Sequence, residues 1–222
     1  MEERYVIVTP GTLLATSEKQ GDGTYIYNGK TYSKYFGILK KSGNKISVIP
    51  FQQSYKPRKG DKVIGIIKEF VYPFFIVDLL SPIPAYLYLT NISQYPMKQD
   101  KAIKIFSPGT LIFAEIIEIS DRVKLSMKSK DSKVLRGGRV TYITPAKVPR
   151  VIGRGGSMIK MIAEKTKCNL LIGQNGVIWF SCRYPELIIK IIKKIDEESH
   201  ISGLTDRISK MIDEELKNER SE

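Results

Sequence analysis

A glycine-rich loop that opens directly into an amphipathic helix is the feature that most constrains the fold of this chain. The loop is Gly-Arg-Gly-Gly at residues 153–156, and apolar side chains follow at 158, 159, 161 and 162, the spacing of a helix. Glycine lets a ligand backbone approach without a Cβ in the way, and the start of a helix attracts anions. The stretch therefore predicts a phosphate-contacting loop, with a ligand-free capping turn as the alternative.

The sequence of this loop narrows the class of ligand. It lacks the Gly-Lys-Ser/Thr end of a Walker loop and the three-glycine spacing of a dinucleotide fingerprint. Ile-Gly-Arg-Gly-Gly-Ser-Met-Ile-Lys, residues 152–160, instead resembles the GXXG loop of the KH family, whose members clamp the backbone of single strands. That resemblance predicts a KH domain, and the order of the elements around the loop is that of the eukaryotic type.

The elements expected around the loop have the KH order. A first strand at 140–144 and 147–148, a short helix at 149–152 and a helix at 157–167 precede two strands, 169–173 and 177–181, joined by a Gln-Asn-Gly turn. Apolar residues at helical spacing then predict helices over 185–198 and 204–218. The acidic last helix is expected to cap the domain or to face a partner protein.

The charge distribution favours a polyanionic partner. The chain has 222 residues and a formal net charge of +13. Residues 101–167 carry 15 Lys/Arg and 5 Asp/Glu, a local net of +10, whereas residues 196–222 carry 4 and 9, a net of −5. Segregated positive charge of this kind is typical of nucleic-acid binding.

Nothing in the sequence predicts catalysis, a metal or a cofactor. Asp78, Asp121 and Asp131 do not form a local carboxylate cluster, and His200 is the single histidine. Cys168 and Cys182 are expected to be reduced, half-buried thiols on neighbouring strands. No segment is apolar enough to span a bilayer or to act as a signal peptide, so we expect a cytoplasmic protein with no membrane partner.

The first half of the chain is β-rich. Short strands and turns fill residues 1–56, including an Asn-Gly hairpin dipeptide at 28–29. Five short strands are then predicted between residues 60 and 130, opening on Lys-Gly-Asp-Lys-Val-Ile-Gly and closing on Val-Lys-Leu-Ser-Met-Lys. These resemble the ribosomal S-one type of OB-fold barrel, which stacks bases on exposed aromatic rings and holds the backbone with lysines.

Two sets of RNA-binding residues are predicted. At the KH loop they are Gly153, Arg154, Gly155, Gly156, Lys160, Arg150 and Lys147. On the barrel they are Lys68, Tyr72, Phe74, Phe75, Tyr86, Tyr88, Arg122 and Lys124. Since adjacent strand residues point to opposite faces, one of Phe74 and Phe75 is expected in the barrel core.

The expected order is a β domain at 1–57, an S-one barrel at 58–132 and a KH domain with its C-terminal helix at 133–222. Together with Thr-Pro-Gly-Thr-Leu-Leu at 9–14 and the tyrosine-rich stretch 23–37, this order resembles the RNA-binding cap subunits of the archaeal exosome. The resemblance implies a non-catalytic protein. Three copies would sit on a hexameric ring of RNase PH-like subunits, docked through the N-terminal domain. They would recruit single-stranded RNA for 3′-to-5′ phosphorolytic degradation in the ring.

Eukaryotic relatives of this family commonly carry a Gly-x-Asn-Gly signature in the KH domain, and the loop at 153–156 departs from it. Other functions are also compatible with the modules. A free-standing RNA-binding protein, or a transcription or translation factor with S-one and KH modules, is the alternative. A phosphorolytic enzyme would need a long catalytic part before these modules, and this chain has none.

Overall fold

The computed structural model describes residues 6–17, 19–50, 55–95, 97–199 and 201–218. The chain divides into two compact units, Met1–Gln53 and Ser54–Glu222. The predicted multidomain, β-rich architecture is confirmed. His200 and the first five residues of the expected N-terminal β domain lie outside the described residues.

The first unit consists of two small antiparallel sheets. Its strands are β1 (Ile7–Val8), β2 (Leu13–Ala15), β3 (Thr24–Tyr27), β4 (Lys30–Ser33), β5 (Gly37–Ser42) and β6 (Lys45–Pro50). They pair in the orders β1-β5-β6 and β2-β4-β3. The predicted Asn28-Gly29 turn joins β3 to β4, and both residues have the positive φ of a type I′ hairpin.

The core of the first unit is partly polar. Thr24, Thr31 and Ser33 are buried, as are the apolar residues Val8 and Val48. The Thr31 hydroxyl donates to the Ser17 carbonyl at 2.8 Å, and the Ser33 hydroxyl donates to the Tyr35 carbonyl at 2.7 Å. These hydrogen bonds satisfy hydroxyls that would otherwise be costly to bury.

The second unit begins with a closed barrel. Its elements are β7 (Lys62–Val71), β8 (Phe74–Asp78), β9 (Ala85–Tyr88), α1 (Gln99–Ile105), β10 (Leu111–Ile119), β11 (Val123–Ser126) and β12 (Lys133–Leu135). The strand order is β11-β9-β8-β7-β10-β12, and β11 also pairs with β10, which closes the sheet. The predicted five-stranded barrel is therefore confirmed.

Two barrel elements were not predicted from the sequence. Helix α1 buries Ala102, and the following Phe106 packs with it against the barrel core. A single pair of inward-facing residues is too short a pattern to distinguish a helix from a loop. Strand β12 pairs with β10, so the barrel sheet continues to Leu135 instead of ending at residue 132.

The KH part follows with β13 (Arg139–Tyr142), α2 (Val148–Ile152), α3 (Ser157–Thr166), β14 (Asn169–Ile172), β15 (Val177–Ser181), α4 (Pro185–Glu198) and α5 (Leu204–Asn218). The sheet order is β13-β15-β14, and the three long helices share an apolar core with it. One local prediction is wrong. Lys147 ends a short 3-10 helix, Pro145–Lys147, because Pro145 favours the first turn of a helix over a strand.

The cysteine prediction is also wrong. Cys168 and Cys182 flank β14 and β15 with their Cα atoms 4.5 Å apart, and the two residues form a disulfide. Free thiols are expected in a reducing compartment, yet the hairpin places the two residues opposite each other at the same end of both strands.

The barrel and the KH part are joined at a buried asparagine. The Asn175 amide donates to the carbonyls of Ile64 at 2.8 Å and Leu79 at 3.0 Å, and its oxygen accepts from the Ile64 N–H at 3.2 Å. The Gln174 N–H donates to the Lys62 carbonyl at 2.8 Å. The KH hairpin turn thus hydrogen-bonds to β7 as a neighbouring strand would.

The residues at this junction carry the Gly-x-Asn-Gly signature from which the loop at 153–156 departs. Gly173-Gln174-Asn175-Gly176 matches that signature, so the chain carries both it and the loop at 153–156. A Cβ at Gly173 would lie 2.8 Å from the Ile64 nitrogen, which explains the need for glycine. An apolar cluster formed by Ile64, Phe113, Leu135, Val177 and Trp179 surrounds the junction.

Candidate nucleic-acid interface

The KH loop, residues 153–156, has the backbone that the sequence predicts. Gly153, Gly155 and Gly156 have φ angles of +75°, +58° and +81°, a region that favours glycine. A Cβ at Gly153 would lie 2.7 Å from the Met158 nitrogen, so the loop could not close with another residue there. Helix α3 begins immediately afterwards at Ser157, and its dipole adds positive potential at the loop.

Three cations surround this loop. Arg150, Arg154 and Lys160 are exposed and form no salt bridge with any described residue. They are therefore available for phosphates. Lys147 differs, because its ammonium bonds the Asp196 carbonyl oxygen at 2.5 Å and pairs with the Asp196 carboxylate at 3.2 Å. The prediction of Lys147 as a phosphate contact is not supported by this geometry.

An apolar groove lies beside the KH loop. Ile152 at the end of α2, Ile159 on α3 and Leu170 and Ile172 on β14 line it, and each side chain is half-buried. Its volume is about 450 Å³. These side chains form the floor of the groove, which is called the KH groove below. The KH groove can accept the bases of a nucleic-acid strand while the KH loop contacts the backbone of that strand.

The second candidate surface is an aromatic face of the barrel. Phe74 on β8 meets Tyr86 and Tyr88 on β9 edge to face, with ring centroids 4.8 and 5.3 Å apart. Arg122 lies over Tyr86 at 5.0 Å and Lys124 over Tyr88 at 5.5 Å. These five residues, called the barrel face below, combine half-buried rings with cations, the combination that binds single strands.

The structure separates the adjacent phenylalanines as the strand alternation predicts. Phe75 is 0% exposed and packs against Phe70 and Phe106, with ring centroids 4.7 and 5.5 Å apart. It is core, so its prediction as an RNA contact is wrong. Tyr72, at the turn between β7 and β8, is 71% exposed.

An ion pair borders the barrel face. Lys68 lies 3.1 Å from Asp78, so this predicted RNA contact already has an acidic partner. The Leu80 N–H donates to Asp78 at 2.8 Å, and this hydrogen bond together with Lys68 lowers the pKa of the Asp78 carboxyl. Lys124 likewise pairs with Glu118 at 3.1 Å. RNA phosphates would compete with these carboxylates.

Some lining residues of the KH groove were not predicted from the sequence. Its far side is formed by barrel residues, among them Lys62, Lys130 and Lys133. The lysine-rich run Lys-Ser-Lys-Asp-Ser-Lys at 128–133 is the sequence signal that could have indicated a phosphate-binding surface here. Its position beside the KH groove depends on the Asn175 junction, which no local pattern reveals.

The described residues contain no group of three or more His, Cys, Asp or Glu side chains placed to hold a metal ion. Among the helices of the described part, none has the length and apolar character needed to cross a bilayer.

Comparisons with known proteins cover nearly the whole chain. Residues 5–52 match the family described as the exosome RNA-binding protein RRP4 N-terminal domain, and residues 138–186 match the KH domain family. The exosome complex component Rrp4 of Methanothermus fervidus is 42% identical over 93% of this chain and 94% of its own length. Its counterpart in Pyrococcus abyssi is 39% identical over 93% of this chain and 82% of its own.

A solved structure agrees with the sequence matches. The crystal structure of a protein described as an exosome complex RNA-binding protein is 34% identical, with a TM-score of 0.68 over 75% of this chain and 99% of that chain. The similarity to the Methanothermus fervidus relative, over 93% of this chain, extends across both compact units. The chain therefore belongs to the Rrp4 family of exosome components.

Proposed function

We propose that this protein is a non-catalytic RNA-binding cap subunit of an exosome, which recruits single-stranded RNA for degradation by other subunits. The observation that carries the proposal is the pairing of full-length Rrp4 similarity with an intact KH loop and an aromatic barrel face. The division into an N-terminal β domain, a barrel and a KH part belongs to the same proposal, and so does action in the cytoplasm.

The RNA would meet two chemically different surfaces. At the KH loop, backbone N–H groups, Arg154 and Lys160 would contact phosphates while the KH groove accepts bases. On the barrel face, Phe74 and the two tyrosines would stack with bases. Each stacked base would contribute about 1–3 kcal/mol to the binding free energy. Arg122 would hold the backbone of the same strand.

The first unit is proposed to dock on a ring of RNase PH-like subunits, three copies to a hexamer. Exposed apolar side chains support an interface here: Ile7 on edge strand β1 is 60% exposed, Leu13 on edge strand β2 is 46% exposed, and Tyr27 is 63% exposed. Apolar residues on unpaired strand edges favour association with another chain.

The RNA test uses fluorescence anisotropy with a labelled single-stranded RNA. The double variant Arg154→Asp/Gly155→Asp places carboxylates against phosphates, and the open space around Gly155 and its left-handed φ are compatible with aspartate. We expect at least a tenfold loss of affinity. Lys193→Ala/Lys210→Ala on α4 and α5 is the matched control, and equal affinity of all three proteins would refute a role for the loop.

The assembly test mixes the protein with the RNase PH-like ring and measures phosphate-dependent RNA decay. We expect no decay by the isolated chain and faster decay by the ring when the cap is present. Ile7→Asp/Leu13→Asp should abolish copurification with the ring and leave RNA affinity unchanged. RNA binding without any affinity for a ring would favour the free-standing RNA-binding protein instead.

A further inference from the structure

The KH groove has a second wall that belongs to the barrel. The barrel residues that line it are Lys62 at the start of β7, Phe113 on β10, Lys130, Asp131 and Lys133. Both walls lie within one compact unit and are held in register by the Asn175 junction. The groove is therefore a composite of two modules.

The charges on this second wall suit a polyanion. Lys130 and Lys133 are exposed, and neither forms a salt bridge with a described residue. Asp131, the acidic residue on this wall, pairs with Lys62. Since Lys62 compensates Asp131, the two remaining lysines leave this side of the groove with a net positive charge.

The KH side of the groove is an apolar floor, formed by Ile152, Ile159 and Leu170. A strand whose phosphates rest on the KH loop would lay its bases on this floor. Its next phosphates would then emerge at the far side, where Lys130 and Lys133 stand. The Ile-lined floor and cations on both sides match the amphiphilic character of a nucleotide chain.

We propose that Lys130 and Lys133 of the barrel bind phosphates of the same RNA strand that the KH loop holds, so that the barrel and the KH part form one continuous single-strand site. This inference rests on the proposed RNA-binding function. It adds a contact surface outside both the KH loop and the barrel face.

The expected effect follows from counterion release. Each phosphate contact on a single strand contributes about 0.7 to the slope of log affinity against log salt. Loss of two contacts should lower that slope by about 1.4, which corresponds to roughly 25-fold weaker binding at 0.1 M salt. Lys130→Ala/Lys133→Ala is the test variant, and both positions are exposed, so the fold is retained.

The experiment measures affinity for an unstructured RNA of eight nucleotides over a range of salt concentrations. It compares wild type, Lys130→Ala/Lys133→Ala, Arg154→Asp/Gly155→Asp and the control Lys193→Ala/Lys210→Ala, which removes two exposed lysines on α4 and α5. Lysine acetylation with mass spectrometry is the second readout. RNA should protect Lys130 and Lys133 in the wild type and should not protect them in the loop variant.

The outcomes separate the two proposals. Weaker binding and a reduced salt slope for the lysine variant, with the control unchanged, support the composite groove. A loop variant that loses affinity while the Lys130/Lys133 variant matches the control overturns the composite groove and leaves the proposed function intact. Protection of the two lysines that persists in the loop variant also overturns it, since the lysines would then contact RNA by another path. Absence of RNA binding by the wild type refutes the proposed function itself.

Discussion

Replacement of Asn175 by alanine should loosen the junction between the barrel and the KH part. The asparagine is 3% exposed and hydrogen-bonds three backbone groups, the N–H and carbonyl of Ile64 and the carbonyl of Leu79. Alanine leaves these groups without a partner in a buried site. The Gln174 N–H keeps its bond to the Lys62 carbonyl in the variant, so the turn stays attached at one point.

The magnitude follows from those three groups. A buried polar group that loses its partner costs about 1–3 kcal/mol. Water that enters the space left by the amide can restore part of the hydrogen bonding, so we expect a total of about 2–4 kcal/mol. For a unit of this size, about 2–4 °C of melting temperature accompanies each kcal/mol, which gives a decrease of roughly 4–16 °C.

Trp179 provides the assay. It is the only tryptophan, it is 8% exposed, and it lies in the apolar cluster at the junction, with its indole N–H donating to the Gly137 carbonyl at 2.9 Å. Its fluorescence during urea unfolding therefore reports on this region. Gln174→Ala is the matched control, because the neighbouring residue contributes its backbone N–H, which alanine retains. An unfolding free energy of Asn175→Ala within 0.5 kcal/mol of Gln174→Ala would refute the reasoning.

Three further predictions concern the core, the pH dependence and the disulfide. Phe75→Ala should lower the free energy of unfolding by about 3–5 kcal/mol, because a fully buried ring leaves a cavity, and a change below 1 kcal/mol in urea unfolding would contradict its core position. Asp78 has a lowered pKa in the folded state, so the stability it contributes is present above its unfolded pKa of about 3.9 and is lost as the pH falls through the folded value. Asp78→Asn should therefore lack this acid-dependent component in unfolding measured between pH 2 and 6, and profiles that differ only by a constant would contradict the role of the Leu80 and Lys68 contacts. The disulfide between Cys168 and Cys182 closes a loop of 14 residues in sequence separation, worth about 3 kcal/mol, so a reductant should lower the melting temperature of the wild type and leave the Cys168→Ser/Cys182→Ser protein unchanged.

The sequence by itself determined the elements that depend on short-range patterns. The KH loop is recognisable because its three glycines lie within four residues and each is required by the local backbone conformation. Helices α4 and α5 were predicted at their observed bounds from apolar spacing alone. The Asn28-Gly29 turn is equally local. The alternation of Phe74 and Phe75 also predicted that one of the two rings enters the barrel core.

Other features depend on contacts between residues far apart in the chain. Lys147 was predicted to contact phosphate, but the structure pairs it with Asp196 of α4. The sequence could not decide which of the two adjacent phenylalanines is in the core, and the pairing of β8 in the sheet shows that it is Phe75. The pairing of β12 with β10 extends the barrel past the expected boundary.

The composite groove belongs entirely to tertiary structure. Local sequence encodes which residues are apolar, charged or conformationally free, because those properties act over one or two turns of chain. Asn175 reaches Ile64 across 111 residues, and that hydrogen bond lies at the contact that places the barrel lysines along the KH groove. Which surfaces become neighbours is set by how two folded modules pack, and only the assembled structure contains that information.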